Sequence, residues 1–158
     1  MPNWCVGTLK VRGEKEDLKR FLLEGLTPVS GLPAAFGGKQ PPKKVKETDY
    51  SLEISTEGAF GFYIEETHRN FIDQKSISWY LDEGNVLVLE DFQAAWGIDP
   101  GPLADLSKKY NLDFKIYAYE RGMQFNMNIE IHKGTVITCE TIKFDDYDWE
   151  CPEPNRGG

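Results

Sequence analysis

Five side chains could serve as thiolate or imidazole ligands or nucleophiles: Cys5, His68, His132, Cys139 and Cys151. No two of them form a CxxC or HxxxH pair. Structural zinc sites draw on clustered ligands, so no metal is expected. Cys139 and His132 lie seven residues apart across Lys133-Gly134. A hairpin there carries Cys139 past the residue opposite His132, and the commoner reading is an edge histidine and a half-buried thiol. The glycines at 58, 61 and 97 lack the spacing of a phosphate-binding loop, and no GxSxG, SxxK or HExxH segment occurs. No cofactor is expected.

Carboxylates offer more. Glu90 and Asp91 interrupt an otherwise apolar strand. Consecutive strand residues point to opposite faces, so one of the two is expected to face the core, which is costly without a partner. Arg121 or Lys115 would supply it. An enzyme of unrecognised type using Glu90, Asp91 and Arg121 is therefore one alternative, although structural ion pairs are the commoner outcome. The segment Arg121-Gly122-Met123-Gln124-Phe125-Asn126-Met127-Asn128 loosely echoes an RNA-recognition signature, with Tyr117 and Tyr119 extending a stacking face. It follows the second helix instead of preceding it, and its middle aromatics are absent. Three tryptophans, Trp4, Trp96 and Trp149, complete the set of candidate binding residues.

Charge sharpens the partner question. The 158 residues carry a net charge of -8, and the stretch 145–158 holds half of it, five acids against Arg156. That acidic balance argues against a general nucleic-acid binder, and a protein partner is expected instead. Residues 39–46 hold four lysines with two prolines; lysines without arginines or aromatics make a poor recognition patch, so a solvated loop is expected there. The tail also contains Tyr147 and Trp149, whereas disordered tails usually lack aromatics. It reads as a segment docked on the sheet, or else as an acidic strip that mimics nucleic acid.

One domain accounts for this length. No apolar run approaches the roughly 20 residues of a membrane span, and Met1-Pro2-Asn3-Trp4-Cys5 has none of the features of a secretory signal. Three cysteines without paired spacing suit a reducing compartment, so a cytoplasmic location is expected.

The elements that must position these residues follow from periodicity. Residues 4–12 alternate as a half-buried strand, and Leu18, Phe21 and Leu22 mark a first helix. Residues 28–47 show no usable period and read as a long Pro/Gly/Lys loop. Strands at 50–56 and 62–67 are expected to form a hairpin across Gly58-Ala59-Phe60-Gly61. Residues 70–75 read as a connector, and strands 76–81 and 86–95 as a second hairpin. Leu103, Leu106 and Tyr110 mark a second helix, and three alternating strands follow. The expected fold is α+β: a ferredoxin-like (split βαβ), mostly antiparallel sheet over residues 1–144, two helices on one face, extra hairpins, and the tail 145–158 docked.

Two segments carry a resemblance. Pro2-Asn3-Trp4-Cys5, opening a strand that ends at Gly13, and Phe92-Gln93-Ala94-Ala95-Trp96 resemble the YubB ferredoxin-like (Api92-like) family, with a weaker match at Gly122-Met123-Gln124-Phe125. The chain lacks the Trp-rich segment that members often carry before the third strand. The resemblance implies a small bacterial, phage or plasmid protein of uncharacterised role and supplies no catalytic residue. The expectation is thus a noncatalytic binding or accessory protein with Trp4, Glu90, Asp91, Trp96, Arg121 and Trp149 as binding residues. A further alternative is an acidic decoy that inhibits a host nucleic-acid enzyme.

Overall fold

The computed structural model describes residues 1–31, 36–58, 60–67, 69–82 and 84–158. His68, among the imidazoles considered above, lies outside the described residues. The elements run β1 (Trp4–Arg12), α1 (Lys15–Glu24), β2 (Leu26–Pro28), β3 (Lys43–Glu47), β4 (Ser51–Thr56), β5 (Phe62–Ile64), β6 (Asn70–Ile72), β7 (Ser76–Tyr80), β8 (Val86–Ala95), α2 (Pro100–Tyr110), β9 (Asp113–Glu120), β10 (Phe125–His132), β11 (Thr135–Lys143) and a short α3 (Tyr147–Glu150). They form an α+β fold with an antiparallel eight-stranded sheet ordered β11-β10-β9-β1-β8-β6-β5-β2 and a second sheet ordered β3-β4-β7.

Alternation decides which face of the large sheet is buried. Register places Val11, Phe114 and Ile131 in one cross-strand row and Leu9, Ile116 and Ile129 in the next, and all six are buried. Both helices pack on this face. Phe21 of α1 meets Tyr110 of α2 edge-on at 5.7 Å and Phe114 of β9 at 5.7 Å. Asp99 caps α2 by accepting from the Gly101 N–H at 3.0 Å, and Asn111, in a left-handed conformation, ends it. The small sheet closes over α1 from the other side, adding Leu52, Ile54, Ile77 and Trp79 to the same core.

Several local expectations are corrected. Residues 28–47 are not one loop: β2 and β3 occupy its ends. Lys43 explains why the lysine-rich stretch is held down. Its Nζ donates to the carbonyls of Leu22, Leu23 and Leu26 at 2.6, 2.7 and 2.7 Å; the first two are acceptors that the C-terminal end of α1 leaves open, and the third begins β2. Lys44 pairs with Glu57 and Lys19 with Glu47.

Neither expected hairpin forms. β4 and β7 pair with each other in the small sheet, whereas β5 and β8 belong to the large one. Each strand follows the layer that buries its apolar residues: Leu52 lies opposite Trp79, and Ile54 opposite Ile77. The presumed connector contains β6, which fits between β5 and β8. Gly61 permits that closeness, because a Cβ there would stand 2.1 Å from the Ile72 carbonyl oxygen.

Candidate binding face

The other face of the large sheet bears the candidate residues. One row of register partners crosses all eight strands: Ile142, Asn126, Tyr119, Val6, Gln93, Phe71, Tyr63 and Thr27. Trp4 stands two residues from Val6 and so shares its face. This face is divided into a covered half and an open half.

Residues 144–158 cover the half over β9 and β10. Tyr147 and Cys151 are buried with Tyr119, and Phe144 and Tyr117 pack beside them. Asn126, itself fully buried, holds the network together. Its Oδ1 accepts from the Tyr147 hydroxyl at 3.2 Å, and its Nδ2 donates to the Tyr117 hydroxyl at 3.1 Å and to Cys151 Sγ at 3.4 Å. Burial, then the bond with Cys151, raises the Tyr147 phenol well above its ordinary range. Further along, the Arg156 guanidinium lies over Tyr119 at 5.5 Å and donates to the Glu90 carbonyl at 3.0 Å. The Gly158 N–H reaches the Trp4 carbonyl at 2.8 Å.

Just beyond that point the face opens into a cleft of about 280 Å³ lined by Trp4, Val29, Phe60, Gly61, Phe71, Ile72, Asp73 and Gln93. Its walls are aromatic, with Trp4 edge-on to Phe71 at 5.9 Å and Tyr63 tilted against Phe71 at 5.6 Å. Phe60 stands at the mouth, more than half exposed. The polar groups are few: the Gln93 amide donates through Nε2 to Asp73 Oδ2 at 3.1 Å. An apolar concavity with a small number of placed polar groups is the usual form of a ligand site.

No family model matches the chain, and neither a curated protein nor a solved structure matches it. Function must therefore be argued from this face. No helix among the described residues is long and apolar enough to cross a membrane.

The expected site residues do not converge. Trp4 lines the cleft. Glu90 and Asp91 both stand exposed, and neither faces the core. The reason is a β-bulge: Leu9 pairs with Leu89 and Gly7 with Phe92, so the two acids together oppose the single residue Thr8. The extra residue restores the alternation, and Phe92 returns to the core. The expected buried carboxylate and its pairing with Lys115 or Arg121 are corrected accordingly. Lys115 pairs with Glu130 at 3.8 Å. Arg121 is exposed at the β9–β10 turn, and no ion pair joins it to Glu90 or Asp91 among the described residues.

Glu120, adjacent to Arg121, is the buried acid of this region. Its carboxylate accepts from the N–H groups of Gly122 and Met123 at 2.8 and 2.6 Å, which organises the turn. Trp96, at positive φ, is largely exposed with the Arg69 guanidinium over its ring at 5.4 Å. Trp149 projects into solvent with 86% of its surface exposed.

The imidazole and thiols also remain apart. His132 lies opposite Thr135 and bonds Glu130 at 2.8 Å, while Cys139 lies opposite Ile129. Burial, assisted by Glu120, pushes the Cys5 thiol up to about 12, the character of a packing residue and not of a nucleophile. No group of three or more metal-ligating side chains forms among the described residues. Sequence reasoning missed Phe60, Phe71, Asp73 and Gln93. Phe71 sits in a three-residue strand, too short to show a period, and Gln93 is legible only once the bulge has reset the alternation.

Proposed function

We propose that the protein is a noncatalytic binding module of a bacterium or mobile genetic element, which holds a protein partner at the open half of its main sheet. The observation that carries this reading is the aromatic cleft of Trp4, Phe60 and Phe71, left open by the described residues on a face whose other half is closed by the chain's own tail. An elaborated ferredoxin-like plan is supported by the order β9-β1-β8-β6. In it α2 links β8 to β9 around β1, as a split βαβ unit requires. The resemblance of the Pro2-Asn3-Trp4-Cys5 opening to the YubB-like family favours the same plan, and a cytoplasmic setting accords with the unpaired cysteines.

A photo-crosslinking residue placed at Phe60 or at Trp149 tests the reading. The expected result is a partner captured from position 60 and retained at moderate salt. The decoy reading has its own support in the tail, where Asp145, Asp146, Asp148, Glu150 and Glu153 stay exposed around the anchored Tyr147 and Cys151. It requires capture from position 149 alone, disappearing as salt rises, and that outcome would displace the cleft as the binding site.

A further inference from the structure

The open half of the sheet differs from the covered half in one chemical respect. Tyr119, on the covered side, carries the chain's own guanidinium, with Arg156 at 5.5 Å. Trp96, beside the sheet, carries Arg69 at 5.4 Å. Among the described residues no guanidinium or ammonium lies over Trp4, Phe60 or Phe71. These rings share a face with Tyr119, through the row that joins Tyr119, Val6, Gln93 and Phe71.

We propose that this cleft receives the guanidinium side chain of an arginine carried by a protein partner, an inference that rests on the binding-module reading above. Aromatic faces attract cations through the ring quadrupole, and arginine can in addition stack its planar head on them. The acceptors stand at the rim. Asp73 is exposed, its Oδ2 is engaged by Gln93, and its Oδ1 has no donor among the described residues. No donor among the described residues engages the Gln93 Oε1, which can accept as well. Together they offer two acceptors beside an aromatic wall, which suits a forked donor better than a point charge. Asp91 reinforces the charge, since its carbonyl accepts the Asp73 N–H at 2.8 Å from the adjacent strand and its side chain is exposed. About 280 Å³ is room for one long side chain rather than a cofactor. The net charge of -8 favours approach of a basic partner.

The test titrates N-acetylarginine methylamide into the full chain and follows amide, indole and side-chain NMR signals. The citrulline analogue (neutral and of nearly the same shape) and the lysine analogue serve as comparators. Arginine is expected to give saturable shifts at Trp4, Phe71 and Gln93, with the comparators binding about tenfold more weakly, the size of one charge-assisted contact. Asp73→Asn is expected to weaken arginine binding about tenfold without moving the thermal midpoint, since Asp73 is exposed. Equal binding of citrulline or lysine, shifts centred on Tyr147 instead of Trp4, or no saturable shift up to about 50 mM would each overturn the assignment. If crosslinking from position 60 captures a partner while the arginine probe fails, the binding-module reading stands and the arginine assignment alone falls.

Discussion

On one side of Val6 the exposed sheet face is finished: Tyr119 and Asn126 are buried under Tyr147 and Cys151, and the Asn126 amide finds its partners within the chain. On the other side Phe71 and Trp4 form an aromatic surface bordered by Val29, Phe60, Ile72 and the Gln93–Asp73 pair, which the described residues leave open. The two halves have similar composition, and what separates them is whether the chain supplies its own cover. Side chains under the cover contribute to folding free energy, while those beside it remain available for a partner. Substitutions in the two halves should therefore be read out by different experiments.

The largest effect belongs to the covered half. Tyr147→Ala removes a buried ring and the hydroxyl that donates to Asn126, so a loss of about 3 kcal/mol is expected in denaturant unfolding. Thiol labelling gives a second readout. Cys139 is exposed and reacts first in the native chain, whereas Cys5 and Cys151 are buried. In the variant Cys151 should join the fast phase and Cys5 should not, because Cys5 lies in the core on the opposite face. Fast labelling of Cys5 as well would mean that the tail and the core unfold together, and the comparison of halves would lose its basis.

Alkali should also act on the covered half. The folded phenol of Tyr147 is raised above its unfolded value, which is about 10. The folded state therefore binds the proton more tightly. The stability this supplies is fully present below about pH 10 and is lost as pH rises from there through the raised folded value. Phenolate absorbance should show a late step that Tyr147→Phe abolishes.

Phe60→Lys addresses the open half, because it removes the ring and sets a like charge against an incoming guanidinium. Phe60 is more than half exposed, so stability should change by no more than about 0.5 kcal/mol, while capture of a partner through the cleft is lost. A large fall in the unfolding midpoint would show that Phe60 packs structurally and that the open half is less open than its exposure implies.

How much of this was legible in the sequence depends on the length over which each pattern persists. The long strands β1, β9 and β10 alternate for eight or nine residues, and the helices carry clear apolar faces, so the α+β class could be read directly. β2, β5 and β6 have three residues each, and β3 exposes nearly all of its side chains; these owe their existence to neighbours rather than to local pattern. The bulge at Glu90-Asp91 is the clearest instance. Two adjacent acids in an apolar strand signal a disturbance, but whether one is buried or both turn outward depends on what lies opposite, and Thr8 is remote in sequence. Of the candidate site, Trp4 was visible as an unusual residue, whereas Phe71 and Asp73 join it only through strand pairing.

Trp149 gives the smallest expected effect and the finest discrimination. It lies on the tail two residues from Tyr147, yet 86% of its surface is exposed, so the two aromatics of one short helix belong to different categories. Burial of an aromatic ring is what stabilises, and Trp149 contributes almost none. Trp149→Ala should therefore shift the unfolding midpoint by an amount equivalent to no more than about 0.5 kcal/mol and leave Cys151 protected from labelling. A partner captured through the cleft should also be indifferent to it. If partner capture is lost while stability and cleft shifts persist, the tail itself is a contact surface, and the boundary between covered and open halves would then separate two binding surfaces instead of a structural half from a functional one.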